Sequence, residues 1–226
     1  MFWSAFGLAF FLNRGAKFVA RKYTNQKKLV KYLKLFLVAL SLIVLVAFGF
    51  YLKERHDEDV AIRQAELAKQ KILQQKLDFI NEVAPIAQKI NKQYGIYASV
   101  TIAQAALESD FGRSVLAAKY HNLFGVKGSD LSNTKELETK EYLNGSWVTI
   151  KDRFRVYSSI EESITDHSLL FVNGTTWNNN QYEHVLAADS PASAAKALEQ
   201  DGYATDPTYA QKLIELIKQY NLTKYD

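Results

Sequence analysis

Cysteine is absent from this chain of 226 residues, which excludes disulfides and any thiol nucleophile. Histidine is scarce. His56, His121, His167 and His184 lie far apart, with no HExxH or comparable ligand spacing. They read as surface or hydrogen-bonded core histidines, and neither a metal nor a cofactor is expected. Internal repeats and low-complexity tracts are missing too. Acidic residues are absent from positions 1–53, which carry nine basic ones, so the charge of the chain is strongly asymmetric.

Against these absences stands one long hydrophobic run. Leu35 to Leu52 contains eighteen residues without a charge. At about 1.5 Å per residue, such a helix covers about 27 Å, close to a bilayer core. Lys53, Glu54 and Arg55 follow directly, with no small-x-small cleavage site, so a retained signal anchor is expected rather than a cleaved leader. Eight of the nine basic residues precede the run, which predicts a cytoplasmic N-terminus and an exported remainder. Past residue 53 the chain has 19 basic against 24 acidic residues, so the sequence pI near 9.0 belongs to the tail. Beside an anchor, that tail serves topology and anionic lipid rather than nucleic acid. Met1 to Leu12 is apolar but too short to span and reads as interfacial.

Residues 53–76 are charged and rich in Gln and Ala, without Gly or Pro, and predict a helical stalk. From Leu77 onward the pattern is that of a mostly helical domain. Leu77, Ile80 and Val83 predict a short helix, with Pro85 opening a second one that Gly95 closes. Ser99 is placed to cap a helix running to Ser109, and Ser114 to cap another running to Tyr120. Two extended stretches, Leu137–Leu143 and Trp147–Tyr157, flank Asn144-Gly145, a strong hairpin signal. Ser158-Ser159 with Glu161 and Glu162 predicts a capping box, and Ser190-Pro191 and Asp206-Pro207 each predict a helix start. The expected division is a basic tail over 1–34, a transmembrane anchor over 35–52, a stalk over 53–76 and a catalytic domain over 77–226.

The chemistry concentrates in AQAALESDFGRS, positions 103–114. Glu108 ends an Ala-rich apolar helix just before a glycine turn. A partly desolvated carboxyl holds its proton near neutral pH, which suits a general acid. Cleavage of a glycosidic bond generally needs a second carboxylate, and the hairpin offers Glu136, Glu138, Glu141 and Asp152. Spacing alone does not choose among them. The plain alternative is that Glu108 and the hairpin acids are solvated charges, Asn122 and Phe124 belong to a buried loop, and Tyr157, Tyr203 and Tyr209 are core aromatics.

ESDFGRS followed by HNLFGVKG resembles the bacterial N-acetylglucosaminidases of glycoside hydrolase family 73. Their pattern is an AQ-x-x-LES-x-x-G-x-S helix end and then NLFG-x-K. The hairpin at Thr139–Asn144, the FRVYSS exit at 154–159 and GYATDPTYA at 202–210 follow in the family's order, so the likeness runs from Phe79 to Tyr220. His121 departs from the pattern, where many relatives carry Asn. The resemblance implies a lysozyme-like α+β fold, mainly helical with a small β-hairpin lobe, and peptidoglycan as substrate. It implies Glu108 as catalytic acid, Glu141 as the second acidic residue, and Asn122, Phe124, Tyr203 and Tyr157 around the sugar. The reaction implied is that of an endo-β-N-acetylglucosaminidase, cutting the β-1,4 bond between N-acetylglucosamine and N-acetylmuramic acid. A muramidase or lytic transglycosylase of the same fold, or a non-catalytic wall-binding scaffold, are the alternatives. Glycan strands, the membrane and a regulatory membrane protein are the expected partners.

Overall fold

The computed structural model describes the backbone of residues 4–143 and 146–226, with the side chains of those residues except 4–16, 18–20 and 140–147. The Asn144-Gly145 turn and the apolar face of Met1–Leu12 therefore lie outside the described residues. Two compact units are present, Met1–Ala68 and Lys69–Asp226. Helix α1 (Ser4–Tyr94) contributes to both.

Among the described residues of the first unit α1 is the sole element, and it carries the apolar run. The large side chains from Leu35 to Leu52 are all exposed, from 45% at Leu40 to 68% at Phe50. A helix that is hydrophobic on every side is made for an apolar surround. By length and composition this segment is able to cross a membrane. Residues 53–75 continue the helix and are exposed throughout.

The second unit is mainly helical. Its core begins on α1 at Phe79 and Ile80 and continues through Val83, Ala84, Ala87 and Ile90. Here the expected break at Pro85 is overturned: α1 runs through it uninterrupted to Tyr94. Proline removes one backbone donor and costs about 3 kcal/mol in a helix interior. Pro85 itself is exposed, while Val83, Ala84 and Ala87 around it are buried, so a single apolar stripe holds both halves in one helix. Gly95, at φ +77°, ends the helix where expected.

Helix α2 (Ala98–Ser109) is the centre of the unit, with ten of its twelve residues buried. Its alanines let α6 (Pro191–Gln200), α7 (Tyr209–Gln219) and the 3-10 turn Leu222–Tyr225 pack closely on it. The predicted cap at Ser99 is also corrected. Tyr97 occupies the N-cap position, and Ser99 lies buried inside the first turn with its N–H donated to Asp226 Oδ1 at 2.7 Å. A side chain 127 residues away thus takes the role assigned to a local hydroxyl.

Beyond α2 the chain makes an unusual turn. Asp110, Phe111 and Gly112 all have left-handed φ, from 52° to 75°. Such backbone costs about 1–2 kcal/mol per non-glycine residue. Burial of the Phe111 ring against Phe79 and Tyr220 holds it there, and Ser109 Oγ accepts from Gly112 N at 2.7 Å. A Cβ on Gly112 would lie 2.8 Å from the Phe79 ring, so glycine is required on two counts. Helix α3 (Val115–Tyr120) follows, capped by Ser114 as predicted.

Strands β1 (Thr134–Leu143) and β2 (Ser146–Arg155) form the one sheet among the described residues, an antiparallel pair. Register pairs Thr139 with Ile150, Glu141 with Val148 and Leu137 with Asp152. The hairpin base is fastened by an isolated bridge between Lys127 and Phe154. Helix α4 (Ile160–Asn173) is capped by Ser159, while Glu162 reaches back to Ser158 rather than to Ser159. The short α5 (Glu183–Leu186) leads to α6, whose Ser190 capping box is complete. Asp206-Pro207 precedes α7 rather than starting it. Asp206 Oδ1 accepts from Thr208 N and Oγ1, and the helix begins at Tyr209.

Candidate active site

Glu108 stands in the last turn of α2, at the negative end of that helix's dipole. It opens on a cleft of about 500 Å³ whose other lining residues include Phe124, Tyr203, Asp206, Tyr209 and Lys212. Although the residue remains open to the cleft, the protein around its carboxyl displaces enough water to raise the pKa above the ordinary range. Two contacts work against that rise. Tyr209 donates to Glu108 Oε1 at 2.9 Å, and the Lys212 ammonium favours the ionised form. Desolvation is the largest of the three influences, so the net direction is upward.

Tyr209 is buried and is itself oriented from below. Gln104, fully buried on α2, donates through Nε2 to the Tyr209 hydroxyl at 3.1 Å. The hydrogen bonds therefore run in one direction, from Gln104 to Tyr209 to Glu108. Gln104 and Glu108 are four residues apart on the same helix face, which is why one phenol from α7 meets both. Burial raises the Tyr209 hydroxyl far above its usual value, so it stays protonated and remains a donor.

Asp206 and Lys212 form a second charged pair on the cleft wall, 2.5 Å apart. That contact, with the hydrogen bonds from Thr208, holds the Asp206 carboxyl down at about 2. The cleft thus presents two carboxyls pushed in opposite directions, Glu108 toward its protonated form and Asp206 toward its ionised form. Asp206 and the Gln104–Tyr209 pair carry no catalytic signal in the sequence beyond their place in the family segments.

The remaining candidates separate. Phe124 lines the cleft and stacks flat on His167, with ring centroids 3.7 Å apart. Tyr203 also lines the cleft, its hydroxyl 2.9 Å from His167 Nε2. Asn122 is buried with every polar atom occupied: Nδ2 donates to the carbonyls of Val126 and Arg155, and Oδ1 accepts from Val126 N. It clamps the 122–126 loop onto the end of β2. Tyr157 lies at a different cavity, of about 530 Å³, and donates to Asp166 at 2.7 Å, where Arg155 also binds. Glu141 is placed by register on β1 opposite Val148, and its side chain lies outside the described residues. His121 takes a left-handed φ of 53° at the end of α3, and its Nδ1 lies 3.0 Å from the Tyr157 carbonyl.

Comparison with known proteins is consistent with this geometry. The family model described as mannosyl-glycoprotein endo-beta-N-acetylglucosaminidase matches residues 84–222. The exo-glucosaminidase LytG of Bacillus subtilis is 40% identical over 92% of this chain and 70% of its own length. A probable N-acetylmuramidase of Lactococcus lactis is 41% identical over 66% of this chain, but only 34% of its own length is spanned. Among solved structures, the catalytic domain of the Listeria monocytogenes autolysin Auto superposes with a TM-score of 0.63 at 42% identity. That match covers 67% of this chain and 88% of the other. The fold is the mainly helical, lysozyme-like α+β architecture that the motifs imply.

Proposed function

The chain belongs to this glucosaminidase family, and from that premise we propose that it hydrolyses the β-1,4 bond between N-acetylglucosamine and N-acetylmuramic acid in peptidoglycan. The observation that carries the reading is the raised Glu108 carboxyl in an open cleft, with Tyr209 fixing its orientation. Glu108 gives its proton to the leaving glycosidic oxygen as the C1–O bond breaks. In direct displacement, water attacks C1 and loses its proton to Glu141; where the substrate's own acetamido oxygen attacks C1 first, water then breaks that new C1–O bond and gives its proton to the Glu108 carboxylate. Tyr203 and Phe124 shape the cleft wall against which the sugar sits. Asn122 and Tyr157 act one step back, by holding the loop and the hairpin base.

The test is release of reducing ends from purified cell walls. Glu108→Gln is expected to lower the rate by about 10²–10⁴-fold, the range of a lost general acid. Full activity in that variant would remove Glu108 from the role. Glu141→Gln with substantial residual activity would favour acetamido assistance. Reducing N-acetylglucosamine ends identify a glucosaminidase, and anhydro-muramic ends a transglycosylase.

The anchor completes the reading. With the basic tail inside, residues 53–76 act as a stalk and the catalytic domain over 77–226 faces the wall close to the membrane. A membrane partner that engages the anchor would restrain it.

A further inference from the structure

His167 lies on α4, 2% exposed, and is a buried polar group beside the cleft. Its ring is held on three sides. Phe124 stacks on it at 6° interplanar angle, and Phe171 and Tyr203 meet it edge-on at 4.8 and 5.6 Å. Only one of its nitrogens has a partner. Nε2 faces the Tyr203 hydroxyl at 2.9 Å, while Nδ1 is buried with no hydrogen-bond partner.

A neutral imidazole carries one N–H, and the environment decides where. Were the proton on Nδ1, a donor would be orphaned in the core and Tyr203 would have to spend its own proton on Nε2. With the proton on Nε2, the imidazole donates to Tyr203, and the buried Nδ1 is left only with a bare lone pair. Orphaned buried donors are rarer than under-satisfied acceptors. Burial also holds the ring neutral, down at about 3.

We propose that His167 is a positioning residue that donates through Nε2–H to Tyr203, so that the Tyr203 phenol turns its own proton outward into the Glu108 cleft. The Tyr203 proton is then free for its other hydrogen-bonding neighbour, the Tyr209 hydroxyl, or for an acceptor on the sugar such as the acetamido carbonyl. Without His167 the hydroxyl could rotate its proton inward or away. This inference rests on the glycan-cleaving role given to the cleft.

The experiment has two arms on the full-length protein in detergent. Nitrogen-15 NMR of histidine-labelled protein near neutral pH is expected to show His167 protonated on Nε2 and bare at Nδ1. Protonation on Nδ1 overturns the proposal whatever the activity. In the second arm, His167→Phe keeps the stack and removes the donor, while His167→Gln retains a donor in reach of Tyr203. His167→Phe is expected to keep or exceed the wild-type melting temperature, because the partnerless Nδ1 is gone. It should lose about tenfold or more in kcat, with a smaller change in KM. His167→Gln should recover most of that loss. Wild-type kcat in His167→Phe, or equal losses in both variants, would overturn the positioning role. If His167→Phe fails to fold, the NMR arm decides alone. Failure of the glycan-cleaving reading itself would appear separately, as no release of reducing ends from cell walls by the wild type.

Discussion

Glu108 is balanced between burial, which raises its pKa, and Tyr209 and Lys212, which lower it. That balance makes two results predictable. Lys212→Met removes a charge that favours the carboxylate, so the acid keeps its proton to higher pH. The alkaline limb of the kcat/KM profile should move upward, and a downward move would contradict the role of Lys212. The second result concerns stability. A carboxyl whose folded pKa is raised binds its proton more tightly when folded, so the wild type loses stability as pH rises from the unfolded pKa through the folded one. Glu108→Gln has no such loss. Its melting temperature should exceed the wild type's near about pH 8, with the gap closing as pH falls through the ordinary Glu range around 4.3. A gap that widens on acidification would reverse the sign of the shift.

Between elements, the joints are made by polar side chains, buried at Asn122 and half-buried at Asp166. Asn122 ties the loop after α3 to β2 with three hydrogen bonds to backbone groups. Asp166 on α4 receives Arg155 and Tyr157 from the hairpin exit. Removing such a clamp leaves backbone groups unpaired in the core, at about 1–3 kcal/mol each. Asn122→Ala should therefore lower stability by about 2 kcal/mol or more, read as a drop in calorimetric melting temperature, with KM of the surviving enzyme little changed. A raised KM at unchanged melting temperature would place Asn122 in direct contact with substrate instead. The turn at 110–112 is another joint. Its left-handed backbone holds Glu108 at the cleft edge, and the Phe111 core contacts offset the strain.

At the scale of the whole chain, the exposed run from Leu35 to Leu52 is long and apolar enough to cross a membrane, and the proposed anchor is tested there. A single charge near the centre of a spanning helix costs about 2.5–3.5 kcal/mol on insertion scales. Replacing both Leu42 and Val44 by Lys should release the protein from membranes under alkaline extraction, where the natural sequence stays in the pellet. Retention of the doubly substituted chain would argue against the anchor.

Local chemistry in the sequence was enough to determine much of this protein. The apolar run, the Ser114, Ser159 and Ser190 caps, the Gly95 stop and the paired strands all follow from patterns a few residues long. Glu108 was marked by its apolar helix and glycine turn, and its family by ordered motifs. What local patterns missed were choices made by distant contacts. Pro85 is carried through a helix because core burial on both sides outweighs one lost backbone bond. Ser99 yields its capping role to Asp226. The same holds within the site: Tyr157 and Asn122 look like cleft residues in the motifs, yet the Tyr157 hydroxyl is committed to Asp166 on α4 and the Asn122 amide to Val126 and the end of β2. Tyr209 read as a core aromatic, His167 as a surface or hydrogen-bonded core histidine, and Gln104 only as part of the motif before Glu108. Only the packing of α2, α4 and α7 brought them to Glu108 and Tyr203. A hydrogen bond's direction depends on what surrounds both partners in three dimensions, and that is the part of the chemistry a sequence does not carry.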